Sequence, residues 1–177
     1  NNSYIGDAVA YYQTGTGNTA LGWSSFVGAS GTSTGGANTA IGYQSLNSNT
    51  TASNNTAVGY QSLYTNQTGS DNAALGKGAL YNNTASFNTA VGAVALYANT
   101  SGTQNTSVGL GSMYHNTTGS YNIAIGGQDP ATYAPLDTNT TGSYNIAIGN
   151  GALGKNNTAS NNTAVGYQAG YSSTGGS

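Results

Sequence analysis

The chain of 177 residues predicts an all-β fold, a parallel β-solenoid, and three observations predict it. A signature, Asn-Thr-Ala-Val-Gly or a close variant, returns ten times at near-constant spacing. Gly, Asn, Ser and Thr make up more than half of the chain, a composition that opposes helix, while fourteen Tyr and a regular aliphatic pulse oppose disorder. Inside each signature apolar and polar residues alternate with period two, as in a half-buried strand.

The register follows from the glycine that ends each signature: Gly6, Gly22, Gly42, Gly59, Gly76, Gly92, Gly109, Gly126, Gly149 and Gly166. The spacings are 16, 20, 17, 17, 16, 17, 17, 23 and 17 residues. Four residues before each glycine stands Asn: Asn2, Asn18, Asn38, Asn55, Asn72, Asn88, Asn105, Asn122, Asn145 and Asn162. The residue before the glycine is always Ile, Leu or Val, and the one before that is usually Ala. Four after the glycine the residue is usually large and apolar (Phe26, Leu46, Leu63, Leu80, Leu96, Met113, Leu153), and seven after it is often Asn.

A unit of about 17 residues is too short for a helix pair. "NTAVG" reads as one strand, "YQSLY" as a second short strand, and "TNQTGS" as the turn. Stacking such coils at the inter-strand distance of about 4.8 Å gives a rod roughly 50 Å long. Columns of identical residues become ladders, and an Asn ladder can bond along the stack and to turn backbone. Two sides of the coil carry an aliphatic residue, which favours a two-sided roll over a three-sided hexapeptide helix. Which strand face fills the coil, the aliphatic one or the one bearing small Ala and Gly, stays open.

Two spacings are long. Around Val27–Gly36 three residues are in surplus, and between Gly126 and Gly149 six are. Aligning backwards from Gly149 places Leu136 in the apolar column and Asn139 in the Asn column, so the surplus lies between Gly127 and Pro135. That stretch holds both prolines, which cannot donate to a ladder. Outward loops are expected near 27–36 and 127–135, with residues 1–177 otherwise one repeat domain. The chain lacks an initiator Met and begins inside a repeat, so it is expected to be a piece of a longer fibre.

"NTAVGYQS" resembles the repeat of YadA-like trimeric adhesin heads, and is similar to the longer-period β-roll repeats of phage tail fibres. The resemblance runs from Asn2 to about Gly170. It implies a left-handed roll, three chains side by side, and a role in attachment at a virion or bacterial cell surface. Coils of about 17 residues, with Leu or Met after the small residue, depart from the shorter adhesin unit.

Composition excludes several functions. Two lysines and no arginine cannot neutralise a phosphate backbone, so nucleic acid is not an expected partner. No apolar run reaches the roughly 18 residues of a membrane helix. The only histidine is His115, and Cys and Glu are absent, which leaves little for acid–base or nucleophilic catalysis. A Ser–His115–Asp137 cluster is conceivable through the long spacing, as is metal ligation by His115, Asp129 and Asp137. The expectation is nonetheless no enzyme, no metal and no cofactor.

Tyr64, Tyr81, Tyr97 and Tyr114 lie five after consecutive glycines and should form an aromatic stack, either a register-holding ladder or a glycan-stacking surface. Trp23, Tyr43, Tyr60 and Tyr167 occupy a second column. With Asp129 and Tyr133 on the longer loop, these four tyrosines are the candidate binding residues, because loops on rigid scaffolds often carry binding. Eleven Asn-x-Ser/Thr sequons are a by-product of the repeat. The expected function is a non-catalytic shaft or head segment of an extracellular trimeric fibre, possible partners being further copies stacked end to end and a cell-surface glycan or protein receptor. The alternatives are a self-polymerising filament and a glycan- or ice-binding solenoid that uses a flat column of Thr19, Thr39, Thr56, Thr89, Thr106 and Thr163.

Overall fold

The computed structural model describes residues 1–28, 33–127 and 133–173, and among them there is no helix. Each repeat contributes one short strand: β1 (Ser3–Ile5), β2 (Thr19–Leu21), β3 (Thr39–Ile41), β4 (Thr56–Val58), β5 (Ala73–Leu75), β6 (Thr89–Val91), β7 (Thr106–Val108), β8 (Ile123–Ile125), β9 (Ile146–Ile148) and β10 (Thr163–Val165). All ten pair in parallel, in chain order, within one sheet. Register is kept across the regular spacings, where Ala57 lies opposite Ala74. It is also kept across both long ones, Ala20 opposite Ala40 and Ala124 opposite Ala147. The expected parallel β-solenoid is the fold.

The expected second strand at "YQSLY" does not form. Gln61 and Leu63 take left-handed φ values of 53° and 50°, and the same two positions do so in coil after coil. Two consecutive turns replace the strand, closed by Ser62 N–H to Gly59 O at 3.4 Å and Asn66 N–H to Leu63 O at 3.2 Å. The reason is packing. Ser62 and Leu63 are adjacent and both fully buried, whereas an extended strand sends neighbours to opposite faces. Coil-to-coil bonding continues through the turns with alternating direction: Gln61 N–H donates back to Tyr43 O (2.9 Å), Leu63 N–H forward to Ala79 O (3.0 Å).

The strand face that fills the coil is the Ala face. Ala40, Ala57, Ala74 and Ala90 are fully buried, and they meet Phe26, Leu46, Leu63, Leu80, Leu96, Met113 and Leu136 from the turn side. A bulky side chain on each wall would overfill so thin a core. The aliphatic column therefore points outward, with Leu75, Val91, Ile125 and Ile148 all exposed.

The repeat glycine is required by both conformation and space. Gly92 has φ 130°, and a Cβ built there would come within 2.5 Å of Gly109 O in the next coil. Two buried Asn columns line the same interior. In the first, Asn72 N–H and Nδ2 both donate to Asn55 Oδ1 (3.0 and 3.1 Å), and Asn18, Asn38, Asn88, Asn105, Asn122, Asn145 and Asn162 belong to the same ladder. In the second, Asn116 donates to Asn99 Oδ1 and Asn139 to Asn116 Oδ1.

The backward alignment across the longest spacing holds. Leu136 is buried in the apolar column, and Asn139 continues the second ladder. Tyr133, Ala134 and Pro135 already run in coil register, as Gly151 N–H to Tyr133 O and Met113 N–H to Pro135 O show, so the surplus precedes Tyr133. Of the two expected loops, residues 29–32 and 128–132 lie outside the described residues. At the first loop's far end Ser33 is buried and bridges Gln13.

Candidate functional site

The regular coil brings Tyr64, Tyr81, Tyr97 and Tyr114 into one stack. Successive ring centroids are 5.0, 4.9 and 5.1 Å apart, with planes within 16° of parallel. Each internal ring spends both faces on its neighbours, so a sugar ring has no free face to stack on within the column. The hydroxyl of Tyr81 is held above the usual tyrosine range by burial, and secondarily by the nearby Tyr97, Tyr64 and Tyr60. Beside this stack runs a groove of about 260 Å³ whose lining includes Tyr60, Lys77, Tyr81 and Tyr97, and also Gly78. The second aromatic column stacks likewise, Trp23 on Tyr43 at 5.0 Å and Tyr43 on Tyr60 at 5.2 Å.

Beyond Tyr114 the ladder breaks. The next coils place Asp137 and then Gly154 in the tyrosine column before Tyr171 resumes it, as the bonds His115 N–H to Asp137 O, Thr138 N–H to Gly154 O and Lys155 N–H to Tyr171 O establish. One position further along, the neighbouring column reads His115, Thr138, Lys155. His115 Nδ1 lies 3.3 Å from Asp137 Oδ1 and 3.0 Å from the backbone O of the same residue. Burial pushes the Asp137 carboxyl up from its ordinary value, and the neighbouring His115 acts against that rise. Lys155 Nζ sits 5.2 Å from the centroid of Tyr171. An open cleft of about 750 Å³ follows this corner, lined by His115, Thr138, Thr140, Lys155, Asn157 and Thr158.

The candidates from sequence are thus divided. The four ladder tyrosines come together as a stack. Tyr133 is half-buried and leans on Tyr171 at 5.8 Å, a partner spacing alone did not suggest. Asp129 lies outside the described residues. His115 and Asp137 do meet, but no group of three metal-ligating side chains exists among the described residues, and no serine hydrogen-bonds His115 there. The sequons Asn49, Asn66, Asn99, Asn116 and Asn139 are fully buried ladder members whose amide nitrogens are bonded inside.

Sequence reasoning missed Lys155 and the threonines of the cleft. The signal was present: Lys155 and His115 each lie six after a repeat glycine, and Thr138 lies two after Leu136. The outward Thr column is present on the sheet face, but Ala73, Ile123 and Ile146 interrupt it. No helix is long and apolar enough to cross a membrane among the described residues. No family model, curated protein or solved structure matches the chain.

Proposed function

We propose that this chain is a non-catalytic structural segment, shaft or head, of an extracellular trimeric fibre that serves cell-surface attachment at a virion or bacterial surface. The observation that carries the reading is the outward aliphatic column. Leu75, Val91, Ile125 and Ile148 remain exposed although the coil is already full without them. Ten parallel strands extend this strip over roughly 45 Å, and contiguous apolar patches of such extent mark interaction surfaces. The outward face, of Thr, Ile, Ala or Ser and then Val, Leu or Ile in each strand, suits close approach of a neighbouring chain. Three copies around an axis cover it with closed symmetry.

Light scattering coupled to size-exclusion chromatography tests the reading. A particle three times 17.6 kDa is expected at micromolar concentration, and Ile125→Asp is expected to shift it to smaller species. A stable, soluble monomer of the unsubstituted chain at that concentration counts decisively against it.

A further inference from the structure

The break in the tyrosine ladder is where this nearly uncharged chain concentrates charge. It carries two lysines and one histidine in all; one of those lysines and the histidine share a column two coils apart, roughly 10 Å, across one cleft. Lys155 has no carboxylate partner among the described residues, where the only ion pair is His115 with Asp137. Its ammonium rests near the Tyr171 ring, a contact that leaves its N–H groups open to an anion. His115 is 54% exposed at the side chain, and its Nδ1 is held by Asp137, which leaves Nε2 as the nitrogen available to a ligand.

The polar groups between Lys155 and His115 have complementary chemistry. Thr138 donates its hydroxyl to Gly154 O at 3.0 Å, and Thr140 donates to Asn157 Oδ1 at 2.7 Å. With their protons committed, these hydroxyl oxygens can only accept from a ligand. Asn157 Oδ1 is occupied, so its amide nitrogen is the group left to donate. Threonine methyls and the lysine stem supply apolar floor. A matching ligand must bring an anionic group, hydroxyl donors and a C–H face together. A bare inorganic anion brings only the first. The cleft volume of about 750 Å³ falls within the range of small-ligand sites.

We propose that the His115–Lys155 cleft binds a carboxylated saccharide, a uronic or ulosonic acid unit, with Lys155 on the carboxylate and His115 Nε2, Thr138, Thr140 and Asn157 on the hydroxyls. The proposal rests on the attachment reading above and names the chemistry of the attached surface.

Calorimetric titration of the full chain with galacturonate, glucuronate and N-acetylneuraminate oligosaccharides tests it. At least one is expected to bind, with affinity falling at least tenfold when its carboxyls are reduced to alcohols. A comparable loss is expected for Lys155→Thr, which restores the residue found in this column at Thr65 and Thr138; circular dichroism checks that the variant folds. Failure of all three acidic sugars overturns the proposal, as does equal binding of the reduced sugar or an unchanged Lys155→Thr. Inorganic phosphate is expected not to compete; if it does so at comparable concentration, the site is a general anion site and the saccharide assignment is wrong. Light scattering on the same samples reads the trimer independently, so loss of sugar binding and loss of the trimer are separate results.

Discussion

Asn55 and Asn66, eleven residues apart in sequence, donate to one carbonyl. The Nδ2 of Asn55 reaches Gly69 O at 3.0 Å, and that of Asn66 reaches it at 2.7 Å. The arrangement recurs up the stack: Asn88 and Asn99 converge on Gly102 O, and Asn105 and Asn116 on Gly119 O. Each carbonyl thereby ties the two Asn ladders together outside the strands of the coil. Buried polar groups must be bonded, and here protein donors meet that requirement.

Removing one ladder member should therefore cost more than its own bond. Asn66→Ala deletes the donor to Gly69 O and also the acceptor of Gly69 N–H at 3.1 Å. Gly69 O keeps its bond from Asn55, but Gly69 N–H is left without an acceptor, and leaving such a buried group unpaired costs about 1–3 kcal/mol. Urea denaturation is expected to show that loss for Asn66→Ala, against a change within about 0.5 kcal/mol for the exposed Thr51→Ala.

Glycine positions should divide sharply by the room above them. Gly92→Ala places a methyl 2.5 Å from Gly109 O and is expected to destabilise by about 3 kcal/mol or more. At Gly78, φ is 63° and the nearest atom to a new Cβ is 3.5 Å away, so Gly78→Ala is expected to cost only the left-handed penalty of about 1 kcal/mol. Equal effects at the two sites would contradict the coil spacing described above.

The inside and outside aliphatic columns should respond differently to concentration. Leu80 is fully buried, and Leu80→Ala is expected to cost about 2–5 kcal/mol at any protein concentration. Val91 lies outside, so Val91→Ser should weaken the assembled protein in a concentration-dependent way, as for any residue acting through association. Thermal melts over a hundredfold dilution series distinguish the two.

The pH dependence follows from Asp137. An acid whose folded value is raised contributes stability that is fully present below the ordinary Asp range, near about 3.9, and lost as pH rises through the raised value. Burial raises Asp137, so its ionised form burdens the fold at neutral and alkaline pH. Asp137→Asn is expected to melt a few degrees higher than the parent at pH 8. The difference should close below about pH 4. An Asn variant that melts lower at pH 8 would mean that the pair with His115 outweighs the burial.

Much of the fold was legible because solenoid periodicity is written along the chain. Ten glycines, ten asparagines and their spacing located every strand, and counting back from Gly149 put Leu136 and Asn139 in their columns despite six surplus residues. The tyrosine stack was legible for the same reason. Spacing left open whether the stack is a ladder or a sugar surface, and the near-parallel rings at about 5 Å cover one another.

By itself, then, the sequence determined the parallel solenoid, its register and its ladders, because a column forms wherever a residue type recurs at the coil length. Only the tertiary structure decided which strand face is interior. Period two separates Ala from Val but does not rank them, and the choice falls to the volume of Leu, Phe and Met arriving from the opposite wall. The same wall turned the expected second strand into two tight turns, because Ser62 and Leu63 must both point inward. The cleft, too, belongs to the third dimension. His115 and Lys155 lie forty residues apart in sequence, and they line one surface because two turns of the coil bring them within about 10 Å.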